Sequence, residues 1–211
     1  MNVHSFIFYL CQKTSMRVRD ENKEKLVIDK AIDLFVSEGF EGFSMNKLAK
    51  ACGISVATLY IYYKDKEDLI SKIANDVGEM FFTMSLKDFS PDMSFPEGLR
   101  KQWENRVAFA FEYPREVAFF EILRSSPYGE HVMRGRLGIF KEQMTQFFQN
   151  AVEKGELIPL NPAIFWCIAY GPLYSMLRFH QEGKAMAGQP FSITQPMIDQ
   201  ALELTIKALT P

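Results

Sequence analysis

Four lysines and three tyrosines fall close together in the first third of the chain: Lys47, Lys50, Lys64 and Lys66, with Tyr60, Tyr62 and Tyr63. No acidic side chain lies between Ser44 and Lys64. Ammonium and phenol groups without neighbouring carboxylates form a surface suited to phosphate contact, even in a chain whose net charge is -2, because a nucleic-acid footprint is local. Proton-transfer and nucleophilic chemistry find no comparable grouping. His4, His131 and His180 are scattered, and the chain has no paired-carboxylate spacing, nucleophile elbow, phosphate loop or CxxC. Glu112, Glu116 and Glu121 fall on interrupted helical patterns with no matching histidine pair, which makes a poor metal site. Cys11, Cys52 and Cys167 are too far apart for metal spacing or a disulfide framework, and they fit a reducing cytoplasm. The expectation is therefore no catalytic residues, no metal and no cofactor. The apolar run Phe6 to Cys11 is too short to span a membrane, and no basic stretch precedes it as in a signal peptide.

The stretch that carries the lysines has two short helical patterns around Cys52-Gly53-Ile54, the build of a helix-turn-helix. Ser44 is placed to cap the first helix, with Met45, Leu48 and Ala49 inward. Ser55 is placed to cap the second, with Val56 and Leu59 on its apolar side. Small residues, Val56, Ala57 and Thr58, lie near the start of that second helix, where a recognition helix comes nearest the base edges. Cys52 reads as packing in the turn. Upstream, Val27, Ile28, Ala31, Leu34 and Phe35 make a buttressing amphipathic helix over Lys23 to Ser37, ended at Gly39. Downstream, Asp65 and Asp68 form a weak capping box for a linking helix from Lys66 to about Leu86, with Lys66 beside the first-turn N–H groups.

Gly53-Ile54-Ser55, Thr58-Leu59-Tyr60, Tyr62-Tyr63, Lys66-Glu67 and Leu69, led in by Ala31, Leu34-Phe35, Gly39-Phe40 and Ser44, resemble the DNA-binding signature of the TetR family of transcriptional regulators. The resemblance covers about the first third of the chain. It implies a homodimeric one-component regulator, usually a repressor, whose aromatic positions and Lys66 touch backbone phosphate. The DNA-contacting set expected is Ser44, Lys47, Ser55, Val56, Ala57, Thr58, Tyr60, Tyr62 and Lys66.

The remaining chain reads as helices separated by Ser90-Pro91-Asp92, Tyr113-Pro114, Ser125-Ser126-Pro127, Glu156 to Pro162 and Gly183 to Ser192. One helix is expected from Tyr128 to Lys154, and one from Ala163 to Gln181 with Pro172 inside it. The fold class is all-α. Residues 17–65 form a three-helix DNA reader, 66–211 a larger helical effector and dimerisation domain, and 1–16 an extension of unknown role. That extension reads either as apolar packing or as sequence ahead of a start at Met16, and an arm to DNA is better placed on Arg17, Arg19 and Lys23. By the resemblance, the last two helices pair across a two-fold axis, with Phe165, Leu173, Leu177, Ile198, Leu202 and Thr205 at the interface.

Nineteen phenylalanines and eight tyrosines need a large interior, an interface or a pocket. Trp103, Phe109, Tyr113, Phe120, Phe140, Met144, Trp166, Tyr170 and Tyr174 are candidate walls for a small hydrophobic or aromatic effector, against an ordinary packed core. Arg124, Arg178 and Glu112 are candidate polar anchors. Two other readings stand beside the effector-released repressor. One is a DNA-binding regulator without a small-molecule site, governed by a protein partner. The other is an all-helical interaction module or enzyme with a structural helix-turn-helix only.

Overall fold

The computed structural model describes residues 21–129 and 138–211, and every described element of regular structure is helical. Helix α1 (Glu21–Gly42) loses helical geometry at Gly39, where φ is 70°. Helices α2 (Met45–Cys52) and α3 (Val56–Tyr62) follow, then α4 (Lys66–Ser85), α5 (Phe95–Glu112) and α6 (Pro114–Arg124). After the gap come α7 (Gly138–Glu153), α8 (Pro162–Glu182), a short 3-10 turn at Met186–Gly188, and α9 (Gln195–Leu209). Of the helix expected over Tyr128 to Lys154, Tyr128 stands in a turn, α7 supplies the C-terminal part, and Val132 and Leu137 lie outside the described residues. His4, Arg17, Arg19 and His131 lie outside them as well.

Sequence explains the joints. The Ser44 hydroxyl accepts from Lys47 N at 3.2 Å and that of Ser55 from Thr58 N at 3.1 Å, so both reader helices start on side-chain caps. Between them Gly53 takes φ 64°, ψ 30°, the left-handed geometry that ends a helix and that a Cβ would strain. Asp65 accepts from Asp68 N at 2.8 Å while Asp68 accepts from Lys64 N at 2.9 Å, two side-chain bonds that start α4. Prolines in the first turns of α5, α6, α8 and α9 set φ where no N–H partner is needed.

Burial divides into two cores. The first joins the reader to neighbours outside it: Val27, Ala31, Ile32 and Phe35 of α1, Leu48 and Leu59, the first half of α4 through Leu69, Ile70, Ile73 and Val77, and Phe119 and Leu123 of α6. Phe35 and Phe40 both meet the Phe119 ring, at 5.8 and 6.1 Å between centroids. Arg115 at the start of α6 reaches Asp33 at 2.9 Å and Asp29 at 3.3 Å on α1. The second core packs α5, α7, α8 and α9 around Trp103, Phe147, Phe165, Tyr170 and Leu173. Here α5 and α7 meet at Gly98, where a methyl group would overlap the Phe147 ring. Phe111 on α5 is exposed and stacks on His180 at 5.0 Å.

The six side chains expected at a dimer interface need correction. Phe165, Leu173, Leu177, Ile198, Leu202 and Thr205 are all buried within one chain, at 7 % exposure or less, so they leave little surface to give a partner. The large apolar side chains left exposed on those two helices are Ile164, Trp166, Ile168, Met197 and Leu204. The expectation picked the more apolar face of each helix, and the chain's own core took it.

Candidate nucleic-acid interface and effector site

Leu59 is fully buried and pins α3 against α1, α2 and the start of α4. With that face fixed, Ala57, Tyr60 and Ile61 are left exposed at helical spacing on the other, and Lys64 is exposed two residues past the end of the helix. Tyr60 is 52 % and Ile61 62 % exposed, so two large side chains are held outward with nothing among the described residues to cover them. Tyr62 is half-buried beside Tyr63, which is buried in the first core. Ser55 and Thr58 hydroxyls lie 2.8 Å apart and bond to each other. Val56 is half-buried, which leaves Ala57 as the exposed one of the three small residues. Ile61 was not among the expected contacts. Its signal was present, since it sits four residues after Ala57 on the face opposite Leu59.

The lysines divide by environment. Lys50 and Lys64 are exposed. Lys47 is tied to the Glu38 carboxylate and to the Gly42 carbonyl, the latter at 2.8 Å. Lys66 donates to the Phe40 carbonyl and lies 5.9 Å from the Phe43 ring centre and 5.7 Å from that of Tyr128. Its ammonium therefore closes the break in α1, and the carboxylates of Asp65 and Asp68 stand at the start of α4 where a phosphate was expected. Burial pushes the Cys52 thiol up, with Lys30 opposing, so this cysteine is protonated packing.

In the second domain the nine candidate wall residues do not form one group. Trp103 is fully buried, and its indole N–H donates to the Ala169 carbonyl at 2.8 Å, pegging α5 to α8. Phe109, Tyr113 and Phe120 pack with the reader-side core. The Tyr113 hydroxyl donates to Glu112 at 2.9 Å, which occupies both groups at the surface. Met144 is core. Phe140, Trp166, Tyr170 and Tyr174 do converge, and they converge on Arg106.

Arg106 was not expected. Its side chain is 1 % exposed, with its guanidinium carbon 4.2 Å from the Tyr170 ring centre, 5.7 Å from Phe81, and 5.8 Å from both Phe140 and Trp166. Its Nε donates to the Tyr174 hydroxyl at 3.0 Å, and its Nη1 to the Gln102 carbonyl at 3.1 Å and to Gln102 Oε1. Gln102 Nε2 in turn donates to the carbonyl of Ser85, the last residue of α4, at 2.8 Å. Nη2 of Arg106 and the hydroxyl of Tyr170 are buried and have no hydrogen-bond partner among the described residues. Burial drives the Tyr170 phenol up to about 12, against the pull of the Arg106 charge. The expected anchors lie elsewhere: Arg124 is exposed and pairs with Glu121 at 2.9 Å, and Arg178 is exposed beside Phe179. The signal for Arg106 lay in its register, because Leu99, Gln102, Trp103, Arg106, Phe109 and Ala110 all fall on the buried side of α5.

Residues 27–73 match the family model for bacterial regulatory proteins of the tetR family. An uncharacterised helix-turn-helix transcriptional regulator of Haemophilus influenzae is 34 % identical over 94 residues, which are 44 % of this chain and 50 % of that protein. The regulator RutR of Escherichia coli K12 is 23 % identical over 66 % of each chain. The matched stretch thus spans about half the length of the first of these relatives. Among solved structures, a TetR-family transcription regulator from Marinobacter aquaeolei aligns at TM-score 0.69 with 26 % identity, over 92 % of this chain and 98 % of that one. A TetR-family regulator from Haemophilus influenzae aligns at TM-score 0.71 with 22 % identity, over 90 % and 98 %, a likeness of fold. Residues 27–73 thus match the reader of the tetR family, and the all-helical chain shares the fold of solved TetR-family regulators.

Proposed function

We propose that the protein is a homodimeric DNA-binding regulator, a repressor that a small hydrophobic or aromatic effector releases from a near-palindromic operator. The observation that carries this reading is the outward face of α3. Ala57, Tyr60 and Ile61 are presented by a short helix whose every other constraint, the Ser55 cap, the Gly53 turn and the buried Leu59, fixes its position, and Lys64 stands exposed just past its end. Ala57 and Ile61 supply apolar contact to base edges, and Tyr60, Lys50 and Lys64 supply phosphate contact. A dimer is supported by Ile164 and Ile168 on α8 and Met197 and Leu204 on α9, exposed in one chain on the two helices the family pairs. Such a dimer sets two α3 helices in successive major grooves about 34–36 Å apart.

The test is footprinting of the purified full chain on genomic fragments, followed by mobility shifts on the recovered site. Tyr60→Ala and Lys64→Ala are expected to weaken binding, and Lys64→Ala to lower the salt slope by about 1. Salt-dependent binding that survives both changes would place the reader elsewhere. Release of the footprint by any member of an apolar compound panel supports the effector half of the reading.

A further inference from the structure

We propose that Arg106 is the anchor of the effector site and that the effector is an organic monocarboxylate with an apolar or aromatic body. The inference rests on the effector reading above and names its ligand class. Arg106 is a permanently charged group, and none of the described ion pairs includes it. Gln102 and Tyr174 satisfy Nε and Nη1 but bring no negative charge, and Nη2 stays unpaired. Beside it the Tyr170 hydroxyl is a second unpaired group, kept protonated by its burial. The Tyr174 hydroxyl accepts from Arg106 and keeps its own proton to give. The site therefore holds three donors, one positive charge and no carboxylate among the described residues.

A carboxylate fits that inventory in charge and in hydrogen bonding. A neutral alcohol or ester leaves the charge uncompensated, and a phosphate dianion carries one negative charge too many. The rings of Phe81, Phe140 and Trp166 lie 5.7 to 5.8 Å from the guanidinium carbon and supply an apolar surround. Trp166 is 41 % exposed, so this surround reaches the surface on α8. Gln102 links the anchor to α4, since its amide holds Arg106 with one end and the Ser85 carbonyl with the other. A carboxylate that draws the guanidinium toward itself loads that link, and α4 runs from Ser85 to the reader.

Thermal shift and calorimetric titration on the full chain test this. The probes are saturated monocarboxylates of medium chain length and 2-naphthoate, each beside its primary alcohol, its methyl ester and its phosphate monoester. The acids are expected to bind, and the neutral analogues to bind about 10- to 150-fold more weakly. Arg106→Met, which removes a buried unpaired charge at similar volume and so keeps the fold, is expected to lose the preference for the acid. Gln102→Glu, which offers the guanidinium a carboxylate from within at the loss of the bond to the Ser85 carbonyl, is expected to weaken acid binding. Equal binding of acid and alcohol, a preference for the phosphate ester, or acid selectivity retained in Arg106→Met would overturn the carboxylate inference alone. If neither acids nor neutral analogues bind, the effector reading fails with it.

Discussion

The phenol of Tyr170 gives a quantitative check on how dry the Arg106 site is. Its native value of about 12 stands against 10.0 for the free group, raised first by burial, lowered by Arg106 and raised again by Tyr174. The unfolded chain loses this proton first, so between the two values the native state binds more protons and stability falls as pH rises. The contribution is fully present below pH 10.0 and is lost as pH climbs through about 12. Two units correspond to about 2.7 kcal/mol in total, of which about 1.4 kcal/mol is gone by about pH 11. Urea unfolding of the wild type and of Tyr170→Phe, at fixed protomer concentration and at several pH values from about 8 to about 11, isolates it. Titrations shared by both proteins cancel in the difference. The wild type is expected to lose about 1.4 kcal/mol more than Tyr170→Phe across that range. At neutral pH the variant, freed of a buried unpaired hydroxyl, is expected to match or exceed the wild type. Parallel profiles would mean a hydrated phenol, and the reasoning about the site's missing partner would fall with it.

Three other outcomes follow from the packing. Gly98→Ala drives a methyl into the Phe147 ring and is expected to cost about 1–3 kcal/mol in urea unfolding, recovered in part when Phe147 is also changed to Leu. Ser55→Ala removes the cap of α3, and both stability, by about 1 kcal/mol, and operator affinity should drop together. Leu204→Glu places a charge on the exposed apolar face of α9 and is expected to yield monomers by light scattering without loss of helical signal.

The reader was legible because its determinants are local. Ser44, Gly53, Ser55 and Asp65 are each specified by a bond or a dihedral within a few residues, and the chain writes those in order. The inward and outward faces of α1 and α2 followed from periodicity in the same way. What stayed hidden depends on distant partners. Nothing near Lys66 in the sequence points to the carbonyl of Phe40, twenty-six residues earlier. The apolar faces of α8 and α9 are continuous around much of each helix, so periodicity alone does not say which side meets the chain's own core. Arg106 differs again. Its placement on the buried side of α5 was readable, but which rings gather there is decided by α4, α7 and α8 together.

The shared core of α1, the first half of α4 and α6 bears on how this protein can be cut and recombined. Leu69, Ile70, Ile73, Phe119 and Leu123 close the floor of the reader, although the two of them on α6 lie far beyond the matched reader sequence, which ends at residue 73. A fragment stopped at Asp65 would expose that floor to water and would not hold α3 in place. Grafting this specificity onto another body would require the seam with α6, Arg115 and its two aspartates included, to travel with it. The reader is thus not a detachable cassette: its modular unit includes residues that lie more than fifty positions beyond the end of α3.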